Sequence, residues 1–64
     1  STLLEEEKIK EEFEDLLRQL KKEYLKGRRE ELIVAIKDAE KRGEEKKVES
    51  ALKEFDEVVK MMNN

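Results

Sequence analysis

The 64-residue chain has no cysteine, no histidine, no proline and no tryptophan. Without thiols or imidazoles, disulfides, zinc sites of the usual kinds and histidine acid/base chemistry are excluded. The missing cysteines leave the redox compartment open. No apolar run approaches the roughly 20 residues of a membrane span, and no basic-then-apolar segment opens the chain, so a soluble, cytoplasmic protein is expected. Aromatic residues are 5% of the chain and glycine occurs twice, at Gly27 and Gly43. A chain this short is one small domain or a piece of a larger protein, and its core must be thin.

Charge fills the space those absences leave, at 52% Asp, Glu, Lys and Arg with a net charge of −3. A Glu/Lys/Leu-rich composition suits long helices, provided that the apolar residues fall in stripes. They do. Thr2-Leu3-Leu4-Glu5 fits the S/T-x-x-E helix-start signature. Ile9, Phe13, Leu16, Leu17, Leu20 and Tyr24 then step by three and four along one helical face. Charge is sorted along the same segment. Residues 5 to 15 hold seven acids (Glu5, Glu6, Glu7, Glu11, Glu12, Glu14, Asp15) and two bases (Lys8, Lys10), whereas residues 18 to 29 hold six bases (Arg18, Lys21, Lys22, Lys26, Arg28, Arg29) and one acid (Glu23).

A second stripe, Leu25, Leu32, Ile36 and Ala39, is rotated by roughly 130° from the first at about 100° per residue. Gly27 lies at the phase change, so the chain either turns there or presents two faces to two partners. No Ser, Thr, Asp or Asn stands nearby to cap a new helix. Val48, Leu52, Phe55, Val59 and Met62 form a third stripe with alternating steps of four and three. Folding the chain at Gly43 sets Ala39 near Val48, Ile36 near Leu52, Leu32 near Phe55 and Leu25 near Met62. That ladder predicts an all-α fold: an antiparallel helical hairpin preceded by a long helix, continuous or bent at Gly27, with a three-helix bundle as the alternative. The expected segments are about 2–26, 28–42 and 45–62, with Leu32, Ile36, Leu52 and Phe55 at the apolar centre. Lys41 and Arg42 suit a helix C-terminus, and Glu44 and Glu45 the next N-terminus.

The crowded carboxylates of residues 5–15 read as a solvated face, because catalytic carboxylates need a partly dry setting and di-metal bundles supply Glu-x-x-His pairs. No catalytic residue, cofactor or metal site is assigned. The basic cluster from Arg18 to Arg29 lacks stacking aromatics apart from Tyr24, and the net charge is negative, so direct nucleic-acid binding is not expected. Ile9, Phe13, Leu16, Leu20, Tyr24 and Val34 point away from the hairpin seam and are the expected self-association surface, as a homodimer of the isolated chain.

From Arg29 to Met62 the sequence "REELIVAIKDAEKRGEEKKVESALKEFDEVVKMM" resembles the C-terminal helicase-binding hairpin of bacterial DNA primases. The resemblance rests on Leu32, Ile36, Ala39-Glu40, Gly43 followed by an acid, Leu52 and Glu54-Phe55, and covers about half the chain. Glu44 stands where Asp would match the family more closely. The resemblance implies the tail of a longer primase that docks on the replicative helicase, with a long helix leading into the hairpin. The exposed tip, Lys41, Arg42, Glu44, Glu45, Lys46 and Lys47, would be the electrostatic part of that contact. The competing expectation is a coiled-coil or helical-bundle dimerisation domain of an unrelated protein.

Overall fold

A computed structural model describes residues 2–64. Two helices make up the fold, α1 (Thr2–Arg42) and α2 (Glu45–Asn63), and no strand occurs among the described residues. The molecule measures 63 × 16 × 12 Å. Its long dimension is that of α1, since 41 residues rising about 1.5 Å each span about 61 Å. Thr2 is the first described residue of α1, and the expected segments 2–26 and 28–42 are one element. The three-helix alternative does not occur.

Gly27 does not break α1, and the reason lies in its neighbours. A glycine costs a helix interior about 1 kcal/mol relative to alanine, too little to offset a helix of good formers on both sides. The second helix also splints the position. Leu25 and Leu32, on either side of Gly27, belong to one buried cluster with Val58, and Arg28 is ion-paired with Glu54 of α2. A turn at Gly27 would pull these contacts apart.

Gly43 ends α1. Its φ is +68°, the left-handed region, and no other described residue has a positive φ. The Gly43 N–H donates to the Glu40 carbonyl at 3.1 Å and the Glu44 N–H to the Ala39 carbonyl at 3.0 Å. This pair of bonds is the Schellman closure, which satisfies two of the carbonyls left open at a helix end. The Lys47 and Val48 N–H groups then both donate to the Glu44 carbonyl at 3.1 Å, opening α2.

The seam is narrow. Leu25, Leu32 and Ala39 of α1 and Val58 of α2 are buried, and Ala51, Phe55 and Met62 pack partly buried against the central cluster. On α1 the buried residues repeat every seven positions. On α2 the inward series is Val48, Ala51, Phe55, Val58, Met62, which corrects the expected Val48, Leu52, Phe55, Val59, Met62. Leu52 is 48% exposed, and Val59, though half-buried, does not pack against the central cluster. The two series share Val48, Phe55 and Met62, so they differ by a modest rotation of α2 about its axis. The tight Gly43–Glu44 connection constrains that rotation, and Ala51 packs against the central cluster where Leu52 was expected. Leu52 is thereby moved to the outer shoulder.

Candidate functional site

At about 28 Å, the 19-residue α2 reaches back along only half of α1, to the level of Leu25. Residues 2–24 are exposed throughout. Ile9, Phe13, Leu16, Leu20, Tyr24 and Val34 all keep between 56% and 70% of their surface accessible. At about 100° per residue they fall within an arc of about 80° on α1. Gly27 lies on the same arc, with nothing within 4 Å of where a Cβ would stand. From Ile9 to Tyr24 the stripe is an apolar strip that no part of the described chain covers, and Val34 lies on the same arc beyond Gly27 and Glu31. An exposed strip of large side chains rimmed by charge marks an interaction surface.

The hairpin tip is the second surface. Lys41, Arg42, Glu45, Lys46 and Lys47 are exposed and Glu44 is half-buried. The Lys47 Nζ lies 2.6 Å from the Glu44 Oε2, and the Arg42 Nε lies 3.1 Å from the Asp38 Oδ2. Glu44 occupies the N-cap position of α2 without making a side-chain cap; its carboxylate goes to Lys47 instead. The hydrogen bond to Glu44, reinforced by its charge, raises the pKa of Lys47 above the usual lysine value. Lys41 and Lys46 make no ion pair among the described residues, so the tip presents two unengaged cations beside two internally matched pairs.

Between the helices, on the side facing the bare stripe, runs an open groove lined by Tyr24, Leu25, Arg28, Lys53, Glu57 and Met61. Arg28 crosses it. Its Nε donates to the Glu54 Oε2 at 2.8 Å, its Nη2 lies 2.6 Å from the same oxygen, and its Nη1 lies 3.1 Å from the Glu31 Oε2. The hydrogen bonds to Glu54 and then Glu31 raise the Arg28 pKa against an opposing desolvation. Sequence reasoning grouped Arg28 with the basic cluster and missed this role. The available signal was the opposite charge at Glu54, which the antiparallel fold brings beside the seam.

The rest of the basic cluster is also partly spoken for. Arg18 pairs with Asp15 one turn away, and Arg18, Lys21 and Lys22 line a depression with Met61, Met62 and Asn64 at the end of α2. Cations there complement the negative end of the α2 dipole. Among the described residues no polar side chain is buried and no group of acidic side chains is arranged to hold a metal ion. No helix among them is long and apolar enough to cross a membrane. No protein family, characterised protein or solved structure matches the chain.

Proposed function

We propose that the chain is a non-catalytic protein-interaction module of the cytoplasm, the C-terminal hairpin by which a bacterial DNA primase docks on the replicative helicase. The observation that carries this reading is a hairpin whose seam is closed on itself while its tip is charged and open. Such an element recognises a partner through its outer surface. The long α1 leading into the hairpin fits the resemblance of residues 29–62 to that family. Charged tips of this kind contribute on-rate and specificity through complementary potentials.

The test is binding to a purified replicative helicase hexamer, followed by fluorescence anisotropy of the labelled chain across a salt series. Lys46→Glu is the informative variant, because Lys46 is unpaired, whereas Lys47→Glu also removes the intrachain bond to Glu44. Weaker binding and a shallower salt dependence for Lys46→Glu support the proposal. No binding by the wild-type chain refutes it. A second reading, a self-associating dimerisation module, is favoured by a different observation: the uncovered stripe from Ile9 to Tyr24, continued at Val34.

A further inference from the structure

We infer that two copies of this chain pair through the first half of α1 in an antiparallel, two-fold symmetric register centred between Leu16 and Leu17. The inference rests on the self-association reading and supplies its geometry. It starts from a symmetry in the stripe. In a two-fold antiparallel pair, each residue n faces residue 33 − n of the second copy if the axis passes between positions 16 and 17. The exposed residues Ile9, Phe13, Leu16, Leu17, Leu20 and Tyr24 map onto themselves under that rule: Ile9 faces Tyr24, Phe13 faces Leu20, and Leu16 faces Leu17. Self-complementarity of one patch is the requirement of a two-fold interface.

The charges follow the same levels. At matching levels along the pair, Glu5 stands with Arg28, Glu7 with Lys26, Glu11 with Lys22, Glu12 with Lys21, Asp15 with Arg18, and Lys10 with Glu23. This is a match of charge between segments and not of touching side chains, since Glu11 and Lys22 are on the outer sides of the two helices. The remaining charged residues of the acidic stretch share a level with Gly27, Leu25 and Gln19, and no like charges share a level. A parallel pair would instead set acid beside acid along residues 5–15 and base beside base along residues 18–29. Opposite net charge on the two segments favours the antiparallel orientation, through a field that weakens with salt.

The hairpin leaves room for the second copy. The second helix occupies the Leu25 and Leu32 face of α1, and the bare stripe lies roughly 130° round the helix. The second copy's residues 2–9 would run beside Tyr24 and Arg28, along the groove that Lys53, Glu57 and Met61 border. Each end of the dimer then holds three helices: α1 and α2 of one copy and the start of α1 from the other. The six facing side chains lie outside the seam, so the hairpin does not depend on them.

Because the chain has no cysteine, single cysteine variants carry one spin label each. Gln19→Cys and Glu30→Cys sit on an exposed flank of α1. In the proposed register the two labelled positions at Gln19 lie within about 15 Å, and those at Glu30 about 40 Å apart, from a rise of about 1.5 Å per residue and a helix spacing of about 10 Å. Pulsed dipolar spectroscopy should return one short and one long distance. Short distances at both positions mean a parallel pair; they overturn the register while leaving self-association standing. A mass of 7.7 kDa by sedimentation equilibrium up to high micromolar concentration overturns both, and leaves the stripe to a different partner. Leu16→Glu should abolish the dipolar signal with helicity of the hairpin retained; an unchanged signal also overturns the register.

Discussion

The same substitution, glycine to alanine, should move stability in opposite directions at the two glycines. At both Gly27 and Gly43 an added Cβ would meet no atom within 4 Å, so no steric contact enters either comparison. The backbone alone decides. Gly27 has ordinary helical geometry inside α1, and alanine there should gain the propensity difference of about 0.8–1.0 kcal/mol. Gly43 has φ +68°. An L-residue forced into that region costs about 1–2 kcal/mol, offset in part by the about 0.4–1 kcal/mol gained from a stiffer unfolded chain, leaving a net loss of about 1 kcal/mol. The two variants should therefore differ by about 2 kcal/mol, or about 10 °C in Tm for a domain of this size. Thermal unfolding followed by far-UV circular dichroism measures this, at one dilute concentration so that any effect of Gly27 on pairing between copies stays out of the comparison. A lower Tm for Gly27→Ala would refute the continuous helix. An unchanged Tm for Gly43→Ala would refute the left-handed closure.

Val58→Ala should destabilise the hairpin by about 2 kcal/mol, as expected for a buried valine, whereas Leu52→Ala should cost less than about 1 kcal/mol. Urea melts with the reverse order would restore the expected seam and reject the observed one. A double-mutant cycle on Arg28→Met and Glu54→Gln should give a favourable coupling that shrinks with salt, since both side chains are partly exposed; no coupling at low salt would make the pair incidental. The bond to Glu44 raises the Lys47 pKa, so its contribution is complete below the usual lysine value and is lost as pH rises through the folded-state value. The stability difference between wild type and Lys47→Met should therefore vanish in strong alkali, and a difference constant through that range would contradict the assignment.

Much of this architecture can be read along the chain. A Glu- and Lys-rich sequence without proline forms helices by local energetics alone, and the step of three and four in Ile9 to Tyr24 is a property of helical periodicity. Gly43, between a basic helix end and an acidic helix start, marks the turn because only glycine enters the left-handed region cheaply. The bare stripe is legible for the same reason: helical period places Ile9, Phe13, Leu16, Leu20, Tyr24 and Val34 on one face, and the short stretch after Gly43 is not long enough to cover it. The tip charges are equally plain, although their pairing into Lys47 with Glu44 and Arg42 with Asp38 depends on rotamers that the order of residues does not specify.

What the chain order could not decide is whatever depends on two segments meeting. Gly27 is locally the weakest point of α1, and local propensity alone leaves a bend open. Contacts from α2 on both sides of it, Val58 with Leu25 and Leu32 and Glu54 with Arg28, close that option. The choice between Leu52 and Ala51, or Val59 and Val58, is likewise absent from the stripe, since both series have helical spacing and share three residues. It is set by how the Schellman turn aims α2, a rotation that neither helix carries in its own sequence. Helical periodicity is a one-dimensional signal and fixes which residues share a face. Which edge of that face is buried depends on the angle at which a second helix arrives, and that angle belongs to the turn and the packed pair together.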